Sequence, residues 1–170
     1  MLNKIFSSQV YIVDAVRTPI GGTNKSLKYF SAARLASLVI KDLIRRTKVN
    51  KYSINQVILG NAVAAGLGQN FARQAAILAD LDESIPAFSV NSVCGSGLQA
   101  VISGAQAIIS NDADLIIAGA SESATGTPFL VERAETGASK SRELIDSIFN
   151  DGLFCQLTGK AMGELVEGLV

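Results

Sequence analysis

Histidine and tryptophan are absent from this sequence, and cysteine occurs only twice and proline three times in 170 residues. Histidine is the usual general base near neutral pH, so acid–base chemistry here has to come from a carboxylate, a thiol or another polypeptide. Two cysteines are too few for a disulfide framework or a thiolate metal cage, and no imidazole is available to complete one, so no metal site is expected. A cysteine that matters chemically acts as a free thiol. Charge of one sign is not in excess either: 15 basic residues balance 15 acidic ones, which leaves no global field to hold a polyanion. The best local patch, Lys41, Arg45, Arg46, Lys48 and Lys51, falls at the end of a predicted helix, where cations complement the macrodipole and face water. No apolar run reaches the length of a membrane span, and residues 1–9 are too short and polar for a secretory segment. The expectation is a cytoplasmic chain without nucleic-acid or membrane partners.

What is present is a high apolar share, 48%, arranged in alternating strand and helix patterns. Residues 10–16 (VYIVDAV), 57–61 (VILGN), 87–91 (AFSVN) and 115–120 (LIIAGA) read as buried strands. Between them, 32–48 places Leu35, Leu38, Val39 and Leu43 at helical spacing, 72–79 follows a capping Asn70, and 95–109 is a helix of small residues. This alternation predicts βαβ units, an α/β fold and a mostly parallel, mixed sheet. From 121 to about 160 the composition changes, and an irregular excursion is expected, with helical spacing resuming at Leu144, Ile145, Ile148 and Phe149. Met162, Leu165, Val166 and Leu169 form a helical stripe still running at Val170, so the chain reads as cut within a helix.

The chemical signal is Asn91-Ser92-Val93-Cys94-Gly95-Ser96-Gly97, a cysteine between the end of a strand and the first turn of a helix. First-turn N–H groups and the macrodipole favour negative charge there, and the glycines allow close approach. A helix end contributes about 0.3–1 kcal/mol, less than the roughly 1.4 kcal/mol of one pKa unit, so a thiol so placed still needs a base. Two other readings use the same residues. A lone cysteine is often a small buried hydrophobe. Gly95, Gly97 and Ala100 also fit the glycine fingerprint of a Rossmann nucleotide-binding unit, although two strand–helix elements precede it and no acidic residue ends the next strand at the expected spacing. Cys155, beside Phe154 among apolar residues, reads as packing.

Taken together, these segments resemble the thiolase family, specifically its N-terminal domain. The resemblance rests on five ordered motifs: Ala15-Val16-Arg17-Thr18-Pro19-Ile20-Gly21; Gly60-Asn61 with Gly66-Leu67-Gly68-Gln69-Asn70 and Ala72-Arg73-Gln74-Ala75; Val90-Asn91 through Cys94-Gly95-Ser96-Gly97-Leu98-Gln99-Ala100; Ala118-Gly119-Ala120-Ser121-Glu122-Ser123; and Asp151-Gly152-Leu153 with Met162-Gly163.

The resemblance implies a thiolase-like fold and a two-step acyl transfer. Cys94 takes an acyl group from a coenzyme A thioester and passes it to a second thioester or to the thiol of coenzyme A. It implies no prosthetic group, coenzyme A thioesters as substrates, and self-association as a dimer or tetramer. Family members activate the nucleophile with the histidine of a Gly-His-Pro motif and use a second cysteine in a Cys-x-Gly motif, both in the C-terminal half. Neither motif is present, and Cys155 does not match the second one. The chain is therefore expected to be a catalytic half lacking its C-terminal partner and inactive alone, the alternative being a non-catalytic thiolase-like subunit. Met162 would lie near substrate, although Ala161 replaces a histidine common in biosynthetic members. Asn61, Asn91, Gly95, Gly97 and Glu122 are expected to support the site.

Overall fold

The computed structural model describes residues 9–132 and 143–169. Helix α1 (Ala32–Thr47) starts where the Ser31 side chain accepts from the Arg34 N–H, and it ends at Lys48 in a left-handed cap. Strand β1 (Gln56–Gly60) follows. Helix α2 (Phe71–Leu78) is capped by Asn70, whose side-chain oxygen accepts from the Arg73 N–H. Strand β2 (Ala87–Val90), helix α3 (Ser96–Ile109) and strand β3 (Ile116–Ala120) complete the layered core. These six elements match the sequence expectation to within about two residues, the usual boundary scatter.

The sheet runs β2-β1-β3 with both pairings parallel. It is therefore purely parallel among the described residues; antiparallel pairing is confined to two short ladders outside it, β4 (Phe129–Leu130) with β5 (Ile145–Asp146) and β6 (Phe154–Cys155) with β7 (Lys160–Ala161). Alternation along β1 sorts its side chains between the two faces. Val57 and Leu59 join Ile117 in a core with Ala32, Ala36 and Ile40 of α1 and Phe71, Ala72, Ala75 and Ala76 of α2. Gly60 faces α3 instead, so closely that a Cβ added there would lie 2.3 Å from the Ser96 carbonyl carbon. Gly97 and Gly104 make the reciprocal approach from the helix, toward Ala120 and toward Ile116 and Ala118. Small residues on both partners thus set the helix–sheet distance.

Four expectations change. Residues 10–16 form no strand: they run without sheet pairing, with Ile12 80% and Val13 74% exposed, because an apolar run becomes a strand only where a neighbour offers a ladder. The segment is tied down by Asp14, which forms an ion pair with Arg46 at 3.0 Å. On α1 the buried face is Ala32, Ala33, Leu35, Ala36 and Ile40, and Leu38 points outward; alanines, not the larger side chains, let α1 approach α2. Between 143 and 153 the helical spacing yields β5 and then a π-turn over Phe149–Leu153. Helix α4 (Met162–Glu167) ends at Gly168, whose N–H bonds to the Glu164 carbonyl. Val170, together with 133–142 of the excursion, lies outside the described residues.

The basic patch is neutralised locally. Lys41 pairs with Asp80 at 2.7 Å, Arg45 with Asp42 at 2.6 Å and Arg46 with Asp14, while Lys51 donates to the Asp80 carbonyl at 3.0 Å. Among the described residues no helix is long and apolar enough to cross a membrane.

Candidate active site

Because the three strands are parallel and in register, their C-terminal ends stand side by side, and the segments that leave them meet there. Cys94 lies on the segment between β2 and α3 and is exposed. The residue before it, Val93, has φ of 49°. A β-branched residue in the left-handed region costs about 1–3 kcal/mol and persists only where its surroundings hold it.

The surroundings are well defined. The Val93 N–H donates to Asn91 Oδ1 at 2.8 Å, and the Val93 carbonyl accepts from the Ser96 hydroxyl at 2.6 Å. Ser96, 3% exposed, also accepts from the Ser92 N–H at 2.9 Å, and the Gly95 N–H closes a turn onto the Ser92 carbonyl at 2.9 Å. Gly95 is the residue preceding α3 and has no side chain to occupy the space over the helix start.

A second group of bonds ties this turn to the other strand ends. Asn91 Nδ2 donates to the Ala62 carbonyl at 2.9 Å. The Ala62 N–H donates to Glu122 Oε2 at 2.8 Å, and Glu122 Oε1 accepts from Asn61 Nδ2 at 2.8 Å and from the Val63 N–H at 3.4 Å. Asn61, 4% exposed, also donates to the Ser121 carbonyl at 3.0 Å. With both amide hydrogens committed to acceptors, its orientation is fixed, and its Oδ1 is buried without a hydrogen-bond partner among the described residues.

The structure thus brings together Cys94, Asn61, Asn91, Gly95, Gly97 and Glu122. Met162 is not gathered with them: it opens α4, is 47% exposed, and its helix packs chiefly on β7. Three contributors escape sequence reasoning. Val93 carries no glycine or asparagine signal for its conformation, Ala62 acts through its backbone, and Ser96 stands out in the sequence only as part of the motif. A serine two positions after a cysteine at a strand-to-helix junction is the one signal that marks a turn-closing hydroxyl.

The excursion docks against the same end of the sheet. Val63 lies 3.3 Å from a Cβ position at Gly152, Pro128 lies 3.0 Å from one at Gly66, and Ser147, fully buried, donates to the Pro128 carbonyl at 2.6 Å. Between the two runs an open groove of about 630 Å³, with Ala62, Ala64 and Asn91 on one wall and Asn150, Asp151 and Phe154 on the other, adjoins the Cys94 turn. Cys155 is half-buried, and the Thr158 hydroxyl, with the backbone N–H groups of Thr158 and Leu157, holds its thiol below the usual range. Its neighbours Phe154 and Gln156 line the groove opposite Ala62 and Asn91. Among the described residues no group of three or more His, Cys, Asp or Glu side chains is placed to hold a metal ion.

Comparison with known proteins agrees with this geometry. The family model described as "Thiolase, N-terminal domain" matches residues 10–169. The chain is 44% identical over 161 residues to a probable acetyl-CoA acetyltransferase of Escherichia coli K12, covering 94% of this chain and 41% of that protein. It is 40% identical over 162 residues to an acetyl-CoA acetyltransferase of Schizosaccharomyces pombe, covering 95% and 41%. It superposes with a TM-score of 0.86 on the Acat5 thiolase of Ascaris suum, solved in complex with coenzyme A, at 37% identity over 91% of this chain and 40% of that one. The chain therefore spans about two fifths of the length of these relatives. With the family model covering nearly all of it and the fold matching a solved thiolase, the chain belongs to the thiolase family, of which it carries the N-terminal domain.

Proposed function

We propose that this chain supplies the nucleophile of a thiolase-type acyl transfer, with Cys94 forming the acyl thioester. The observation that carries the reading is the exposed thiol at the tip of a left-handed turn, between the end of β2 and the start of α3. A nucleophile on such a turn is presented to substrate while both neighbouring peptides are held. Acetyl-CoA or a 3-ketoacyl-CoA would deliver its acyl group to the sulfur, releasing the coenzyme A thiol or an acyl-CoA enolate that takes up a proton. A second acyl-CoA carbanion or the coenzyme A thiol would then remove it, giving Claisen condensation or thiolysis. Similarity to acetyl-CoA acetyltransferases and to a coenzyme A-bound thiolase supports these substrates.

The 170 residues contain no histidine, so an imidazole base for Cys94 would come from another polypeptide segment or chain. We read residues 1–170 as one thiolase N-terminal domain, with 121–160 as its loop excursion, Met162 on the substrate side, and a C-terminal half or a second copy as its partner. A cytoplasmic place in fatty acid metabolism fits two free thiols and this chemistry. The missing imidazole also favours a second reading, a thiolase-like subunit that does not catalyse on its own.

The test is the pH dependence of iodoacetamide alkylation, mapped to each cysteine by mass spectrometry. Because Cys155 has its own depressed thiol, the Cys155→Ser chain is the cleaner background. Ready modification of the exposed Cys94 is expected, with no steady acetoacetyl-CoA synthesis by the chain alone. Sluggish modification of Cys94 would leave only the non-catalytic subunit, and sustained turnover by the chain alone would overturn the need for an outside base.

A further inference from the structure

The nucleophile's geometry depends on a residue conformation that its own sequence does not favour. Val93 is β-branched, 45% exposed and left-handed, so neither burial nor propensity keeps it there. Its two flanking peptides are instead pinned by side chains: Asn91 takes the N–H on one side and Ser96 the carbonyl on the other. Ser96 is held by α3 itself. Asn91 belongs to the strand end, and its grip depends on what fixes its own amide.

We propose that Asn91 is the positioning residue for Cys94, and that Glu122 acts through it by way of the Ala62 backbone. The proposal rests on Cys94 being the nucleophile. The Asn91 amide has a donor facing one end, Val93 N–H, and an acceptor facing the other, the Ala62 carbonyl. An amide so placed cannot flip without losing both bonds. Ala62 is fixed in turn on both sides: Glu122 Oε2 accepts its N–H at 2.8 Å, and Glu122 Oε1 accepts at 3.4 Å from the Val63 N–H, which shares a peptide with the Ala62 carbonyl. The route from β3 to the thiol therefore runs carboxylate, Ala62 backbone, Asn91 amide, Val93, Cys94. Its hydrogen bonds are 2.8 Å at the Ala62 N–H, 2.9 Å from Asn91 to the Ala62 carbonyl and 2.8 Å from Val93 to Asn91; the two peptides of Ala62 are joined through its Cα, and Val93 is joined covalently to Cys94. Ala62 and Asn91 also line the groove beside the turn. A group seated there presses on the same two residues that hold the nucleophile.

The experiment measures Cys94 alkylation by iodoacetamide in the full Cys155→Ser chain, with Asn91→Ala, Asn91→Ser and Glu122→Gln. Backbone NMR shifts of Val93 report its conformation. Asn91→Ala removes both bonds and is expected to slow Cys94 by about tenfold, the rate equivalent of one lost hydrogen bond, with Val93 shifting out of the left-handed region. A serine can still accept from the N–H two residues on, so Asn91→Ser is expected to recover most of that loss, to within about threefold. Glu122→Gln, which leaves the turn's own bonds in place, is expected to slow Cys94 by about threefold, since only the Ala62 anchor is weakened. Wild-type rates and unchanged Val93 shifts in a folded Asn91→Ala chain would overturn the proposal. Should that variant not fold, wild-type rates and shifts in both Asn91→Ser and Glu122→Gln would overturn it instead. If wild-type Cys94 is itself no more reactive than an ordinary thiol, the nucleophile reading fails; the Val93 shifts across the series then still decide whether Asn91 sets the turn.

Discussion

The two faces of the sheet are built from the same kinds of residue and end in opposite states. On the α1/α2 face, alanines at 32, 36, 72, 75 and 76 let two helices meet over Val57, Leu59 and Ile117, all 7% exposed or less. On the other face a single helix, α3, lies on the strands through glycines, and its outer surface leaves Leu98 67%, Ile102 42% and Ile109 41% exposed. One side is a core closed by two helices; the other is covered by one helix, whose outer surface leaves apolar side chains exposed. Cys94 stands at the start of that helix, on the boundary between the two. The Cys94 turn is held by Asn91 and by Ser96 of α3.

The largest effect is expected at Gly60, where the helix and the sheet touch. Gly60→Ala puts a methyl group 2.3 Å from the Ser96 carbonyl carbon; α3 must lift, and a loss of about 3 kcal/mol or more, or no folding, is expected in urea unfolding. Ile40→Ala, on the closed face at 2% exposure, should cost about 2–3 kcal/mol by the same measurement. Leu98→Ser probes the open face: it is expected to change stability by no more than about 0.5 kcal/mol while lowering self-association in analytical ultracentrifugation. A cost at Leu98 comparable to that at Ile40 would show that the two faces do not differ.

The smallest effect concerns pH. The hydrogen bond and charge of Lys41 hold the Asp80 carboxyl below its ordinary 3.8. A group whose pKa is depressed on folding contributes stability that is present above 3.8 and lost as pH falls through the lower, folded value. The melting temperature of the wild type should therefore stand slightly above that of Asp80→Asn near neutrality and fall toward it in that acid window. Both side chains are exposed, so the difference is small.

The layered core is legible because each of its elements carries its own period: alternation or a short apolar run for β1, β2 and β3, helical spacing and caps for α1 and α2. Residues 10–16 carry the same strand signal and form no strand, since a strand is a property of a pair and composition says nothing of the partner. Residues 145–146 depart from helix for a related reason, while 147–153 turn helical as the spacing predicts. A short apolar run fits either period, and the pairing of β5 with β4 decides it. At the site, Cys94 and its glycines are legible from local motif, and Asn61, Asn91 and Glu122 from the resemblance. What joins them is not, because the Ala62 to Glu122 bond spans 60 residues and follows only from the strand order.

That separation in sequence orders events in the folding of each molecule. The Asn91 and Ser96 bonds around Val93 are local and can form early, whereas the anchoring of Ala62 must wait until β3 has been made and has docked beside β1, a loop closure over 60 residues. The last strand of the sheet is therefore also the last fastener of the Cys94 turn. During refolding, alkylation of Cys94 followed in time is expected to settle to its final rate only when β3 has docked, which makes this thiol a reporter on completion of the sheet.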